Sequence, residues 1–163
     1  MKALLVIDMQ ECTVGKNHAK PFKYKPDIIS RVNSVIEQNE FVVYIRNLMK
    51  NNFINRLAPV KCFDGSPEAE LAEGLKIVSE NVFDKYAGNA FSNEELGAFL
   101  KKNGVREVEL VGVDGGGCVS LTAIGAANLG LKVTLNTAAI GTVFESKRKH
   151  YYKTLRELGA EFI

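Results

Sequence analysis

The sequence predicts a three-layer α/β/α domain on a mostly parallel sheet of six strands. Short apolar runs rich in β-branched residues alternate with longer segments that are apolar at helical spacing, the pattern of a parallel sheet covered by helices on both faces. At 163 residues, with 46% hydrophobic and 25% charged residues, the chain has the size of one core. No linker, internal repeat or low-complexity stretch divides it, so residues 1–163 are read as a single domain.

The expected strands are Ala3–Ile7, Phe41–Arg46, Val78–Phe83, Val108–Val113, Leu131–Leu135 and Glu161–Ile163. The first is an apolar run of five residues ended by Asp8, too short for a signal-peptide core or a membrane span. After Pro26, Ile28, Ile29, Val32, Val35 and Ile36 recur at helical spacing and predict a crossover helix. "SPEAEL" predicts a second helix, with Ser66 as cap, Pro67 in the first helical position, and Glu68 and Glu70 near the positive end of the dipole. In "SNEEL", Ser92 and Glu95 have capping-box spacing ahead of Leu96, Phe99 and Leu100. Two further helices run from about Cys118 to Leu129, stopped by Gly130, and from about Ser146 to Leu158, stopped by Gly159. The stretch "NLMKNNFINRLAPVKCFDG" (Asn47–Gly65) has no clean period and is read as an irregular excursion over one sheet edge, either functional or a solvated connection.

Charge narrows the partners. Twenty-one basic and nineteen acidic residues are spread along the chain, giving a formal net charge of +2 with no polybasic tract. Nucleic acid and anionic membranes are therefore not expected partners, and a small, neutral or modestly charged molecule is. The three cysteines, Cys12, Cys62 and Cys118, are odd in number and lack metal-site spacing, which points to reduced thiols in a cytoplasm rather than a disulfide scaffold.

Gly115, Gly116 and Gly117 stand between a buried strand and Cys118. A dinucleotide-binding turn counted from Gly115 needs glycine or alanine where Ser120 stands, and no Gly-Lys-Ser or Gly-Lys-Thr follows for a phosphate loop. What remains is a thiol in the first turn of a helix. There the backbone N–H groups and the dipole lower a thiol pKa from about 8.5 and can hold the oxygen of a tetrahedral intermediate. A buried structural cysteine is the other reading of the same residues. His18 lies in a polar loop and His150 on an exposed helix face, so neither suits a papain-like pair. Asp8, at the end of an apolar strand, and Lys85, among Phe83, Tyr86 and Phe91, are better placed to partner the sulfur.

Together "ALLVIDMQ", "KYAGNAF" and "GVDGGGCVSLTAIGAANLGLKV" resemble, in order, the landmark segments of the isochorismatase-like cysteine hydrolases, which include nicotinamidases and N-carbamoylsarcosine amidohydrolases. The resemblance covers nearly the whole chain. It implies a Rossmann-like sheet of order 3-2-1-4-5-6, Asp8 as general base, Lys85 as the cation ordering that carboxylate, and Cys118 as the nucleophile of an acyl-enzyme. It also implies a cis peptide between Val113 and Asp114, which turns the N–H of Asp114 toward that of Cys118 as an oxyanion hole. Gln10, Cys12, Gly115, Gly116 and Gly117 are the expected pocket residues. Isochorismatase proper, a vinyl-ether hydrolase, does not use the thiol, so Cys118 favours cleavage of a C–N bond in a small amide, imide or ureido compound.

Three departures bear on that reading. Gly115 and Gly116 replace the family's Thr-Asp or Thr-Glu, which predicts a looser turn; Cys12 and Thr13 stand where an aromatic is usual; and Asn47–Gly65 has no histidine to hold the nicotinamidase metal. No metal or cofactor is expected. By the same resemblance the assembly is a homodimer or homotetramer. The rival reading is a member that binds a metabolite or partner with little turnover, and another alternative is a redox pair of Cys12 with Cys118.

Overall fold

The computed structural model describes residues 1–16 and 22–163; His18 lies outside the described residues. Its single sheet has six parallel strands in the order β3-β2-β1-β4-β5-β6: β1 Lys2–Ile7, β2 Val42–Asn47, β3 Val82–Lys85, β4 Glu107–Val113, β5 Lys132–Gly141 and β6 Glu161–Phe162. The helices are α1 Ile28–Ile36, the one-turn α2 Phe53–Arg56, α3 Glu94–Lys102, α4 Cys118–Asn128 and α5 Glu145–Glu157.

Alternation along β1 divides the core. Leu5 and Ile7 point to the face covered by α3, α4 and α5, where they meet Leu96, Leu100, Val119, Ala123 and Leu155. Leu4 and Val6 point to the other face and meet Ile28, Val32 and Ile36 of α1. The reversal of strand order falls between β1 and β4, so the loops leaving these two strands diverge and open a crevice at the carboxyl edge.

Four local expectations are corrected. The third strand starts at Val82 rather than Val78, because the side chains of Ser79 and Asn81 both donate to the Val42 carbonyl and leave Ile77 and Val78 exposed. The helix expected after Ser66 is only a turn over Pro67–Ala69, and Ser66 makes no cap bond. That segment instead pairs with the chain after β1: the Glu68 and Glu70 carbonyls accept from Cys12 and Glu11 N–H, and Ala72 N–H donates to Met9. Distant backbone pairing overrides local helix signals here. Asn93, not Ser92, caps α3 by accepting from Glu95 N–H, while Ser92 donates to the Asn89 carbonyl. Finally, β5 extends to Gly141 past an irregularity opposite Leu110–Gly112.

A fifth correction concerns the thiols. Cys12 and Cys62 form a disulfide, their Cα atoms 5.7 Å apart and both residues buried, which corrects the expectation that all three thiols are reduced and leaves Cys12 unavailable for the alternative pairing with Cys118. Composition cannot reveal this, because the partners are 50 residues apart and meet only once the excursion after β2 folds back beside the loop after β1. Cys118 is the one free cysteine.

Candidate functional site: a thiol, a carboxylate and an ammonium

Three strand ends deliver the polar groups. Asp8 follows β1 with φ +52°, a left-handed conformation uncommon outside glycine, and is 4% exposed. Its N–H donates to Ile45, and its carbonyl accepts the Thr13 hydroxyl at 2.5 Å. Lys85 ends β3 and is 1% exposed. Its ammonium has three donors and three acceptors: Asp8 Oδ2 at 3.0 Å, Asn47 Oδ1 at 3.1 Å and Cys118 Sγ at 3.2 Å. A fully paired ammonium is what allows a lysine to be this deeply buried.

The other carboxylate oxygen, Asp8 Oδ1, is buried and has no hydrogen-bond partner among the described residues. Cys118 begins α4 and is half-buried. Burial, and next the charge of Asp8, push its thiol up to about 12, against the opposing pull of Lys85. This corrects the expected lowering by the helix end: the resting sulfur is a thiol. For Lys85, burial opposes the charge, but the Asp8 carboxylate and the hydrogen bonds to Asp8 and the Cys118 sulfur outweigh it and hold the ammonium above its ordinary pKa.

Ahead of the sulfur, the Val113–Asp114 peptide is cis. Among the described residues neither the Asp114 N–H nor the Cys118 N–H donates to a turn or loop carbonyl. The turn between them is not loose. The Asp114 carboxylate accepts from Gly116 N–H and Val143 N–H, both at 2.6 Å; its carbonyl accepts from Gly117 and Val119; and the buried Ser120 hydroxyl donates to Gly115 at 2.6 Å. These bonds replace those a Thr-Asp pair was expected to make.

The expected pocket residues are placed differently. Gln10 is fully buried: Oε1 accepts from Asn47 N–H at 2.7 Å, and Nε2 donates to the carbonyls of Asn47 and Ala69 at 3.1 and 2.7 Å. It fastens β2 to the loop after β1 and faces no open space. Cys12 is held in its bridge. Gly115 and Gly116 are buried, and a Cβ on them would strike the Thr142 hydroxyl and the Phe144 carbonyl, so they make room for the β5–α5 connection rather than for a guest. Only Gly117 is clear, its nearest neighbour being Asp114 at 3.7 Å.

Cys118 opens instead onto a cleft of about 490 Å³, bordered by Asn47, Met49, Lys50, Asn55 and Tyr86. A larger cavity of about 620 Å³ lies near Phe91, Lys101, Arg106 and Leu129, but no cysteine, serine, threonine or carboxylate lines it, so the smaller one is the candidate site. Two groups near the sulfur carried no sequence signal. Asn47 is one. Tyr24 is the other: its ring packs where Gly141 lacks a side chain, and burial, with Asp114 and then Cys118 and Asp8, raises its phenol far above the usual range.

The residues do not fit a metal. Among the described residues no three His, Cys, Asp or Glu side chains gather as ligands, and the cleft presents Asn47, Met49 and Lys50, the last a cation.

An all-parallel α/β sheet with a thiol, a carboxylate and an ammonium converging at its carboxyl edge defines a three-layer α/β protein with a cysteine-centred site. The chain belongs to the isochorismatase-like hydrolase family, whose isochorismatase domain profile matches residues 2–163. Comparison with curated proteins gives no match. Among solved structures, the zinc complex of Pyrococcus horikoshii pyrazinamidase is 26% identical with a TM-score of 0.84, over 99% of this chain and 98% of that one. Streptococcus mutans pyrazinamidase/nicotinamidase has 24% identity and a TM-score of 0.86 over 100% of both chains. The N-carbamoylsarcosine amidase of Thermoplasma acidophilum has 24% identity and a TM-score of 0.81, over 99% and 94%. Among the described residues, no helix is long and apolar enough to cross a membrane.

Proposed function

We propose that this chain is a metal-independent cysteine amidohydrolase, cleaving the C–N bond of a small amide, imide or ureido compound through a thioester on Cys118. One observation carries the reading: Lys85 Nζ bridges Asp8 Oδ2 and Cys118 Sγ while Asp8 Oδ1, buried beside them, is unpartnered. With a thiol rather than a thiolate at rest, attack needs a base, and Oδ1 is that base. It takes the Sγ proton as sulfur adds to the substrate carbonyl. The resulting oxyanion sits between the N–H groups of Asp114 and Cys118. Asp8 then returns the proton to the departing nitrogen as the C–N bond breaks. In the second half Asp8 takes a proton from water, which attacks the thioester and releases the acid, and the sulfur recovers its proton. Lys85 stays charged throughout and is a positioning cation for both partners.

The test is ammonia release from a panel of small amides and ureides by wild type and Cys118→Ala. The expected result is release from at least one compound, reduced at least about 10³-fold in the variant. Equal release by both proteins rejects the sulfur as nucleophile, and no release by either favours the binding alternative.

A further inference from the structure

The cleft outside the sulfur is not neutral in its hydrogen-bonding character. Lys85 is a pure donor, so the amide of Asn47 must turn its oxygen toward Nζ; no other orientation places an acceptor there. The nitrogen, Nδ2, is thereby fixed as a donor away from Lys85, and among the described residues it has no partner. The backbone of Asn47 is clamped from behind by both ends of the Gln10 amide, which holds the side chain in place.

Three residues further along the same cleft wall is Lys50. Its ammonium is exposed and makes no ion pair among the described residues, whereas its carbonyl is occupied by Asn52 N–H and Asn55 Nδ2. No acidic side chain borders the cleft. Asp64, which does not line the cleft, accepts the hydroxyl of the wall residue Tyr86 at 3.3 Å. Asp8, the other acid nearby, is already paired with Lys85.

We infer that the cleft selects a substrate carrying a carboxylate near its scissile amide or ureido group, with Lys50 and the Nδ2 of Asn47 holding that anion. Asn47 thus has two tasks at once, its oxygen on Lys85 and its nitrogen on the guest. Lys50 sets specificity, because a lone cation at the mouth of a cleft with no acid attracts and orients anions. The inference rests on the amide-hydrolysis reading for the reacting end of the substrate, and its test does not depend on turnover.

Cys118 is the only free thiol, so it can be alkylated selectively. Iodoacetate and iodoacetamide place the same reacting carbon on the sulfur, expelling iodide as the S–C bond forms, and differ in carrying a carboxylate or a neutral amide. The measurement is the ratio of their rates at Cys118, divided by the same ratio for glutathione. The expected value favours iodoacetate by about fivefold at low salt, the size of one exposed charge pair, and declines as salt is added. Lys50→Gln is expected to remove the preference and Lys50→Glu to reverse it. A normalised ratio near one in wild type, or one unmoved by both substitutions, overturns the inference. On turnover, a half-amide of a dicarboxylic acid should be hydrolysed with a lower KM than the neutral diamide of the same length, and Lys50→Gln should close that gap. If neither compound releases ammonia while the alkylation preference stands, the hydrolase reading fails and the anion site remains.

Discussion

The turn from Val113 to Cys118 and the excursion from Asn47 to Gly65 both border the sulfur, yet they are built in opposite ways. In the turn, backbone groups are tied by Asp114, Ser120 and Gly141, and glycines let it press against the β5–α5 connection. The excursion closes on itself where Met49 pairs with Phe63, and is pinned to the rest of the chain by the Cys12–Cys62 bridge. Beyond these ties it presents Phe53, Ile54 and Leu57 at 79, 77 and 74% exposure. The lesson is a division of labour: groups that must sit within hydrogen-bond reach of one another lie on strand ends and a locked turn, while Lys50, which we propose selects the guest, lies on a loop.

The largest expected effect breaks the rigid side of this comparison at its base. Asp8→Asn removes the proposed base and also the negative charge that helps raise the Cys118 thiol. Two rates should then move in opposite directions: amide hydrolysis falls by about 10³-fold, and iodoacetamide alkylation near pH 8 becomes faster as the thiol pKa drops. The wild-type alkylation rate should keep rising with pH toward the thiol value of about 12. Stability follows the same linkage. A thiol whose folded pKa lies above its unfolded value of 9.0 stabilises the fold fully below pH 9, and that contribution is lost as pH rises from 9.0 to about 12. A parallel fall of both rates in Asp8→Asn would mean that Asp8 only shapes the site.

A smaller effect tests whether the turn is as closely packed as its geometry indicates. Gly116→Ala puts a Cβ against the backbone carbonyl of Phe144, which cannot move aside as a side-chain tip can. Overpacking of this kind costs about 1–3 kcal/mol, measurable as a lowered urea midpoint with unchanged slope. An unchanged midpoint would show that the β5–α5 connection yields freely.

The same contrast explains what was legible in the sequence. Asp8 and Lys85 end apolar strands and Cys118 follows three glycines, so each stands out against its neighbours, and the strand order follows from alternating strands and helices with the family resemblance. Asn47, Ser120 and Tyr24 are ordinary polar or aromatic residues by local pattern, and their positions matter only through partners 38, 5 and many tens of residues away. Signals at Ser66 were locally sound and lost to pairing with the chain after β1. The Cys12–Cys62 bridge was missed for the same reason, since both thiols sit on segments without periodic structure.

The smallest expected effect lies on the excursion itself. Phe53→Ser removes a ring that is 79% exposed, from a one-turn helix with no buried residue. Little apolar surface returns to water, so the urea midpoint should correspond to a change within about 0.5 kcal/mol, the usual size for a surface site. That near-neutrality is what the comparison requires: if the excursion carries recognition but not the core, its apolar tip can be rewritten without loosening the sheet edge that holds Asp8, Lys85 and Cys118. A loss comparable to that of Gly116→Ala would place the tip within the folding core and remove the distinction between the two segments.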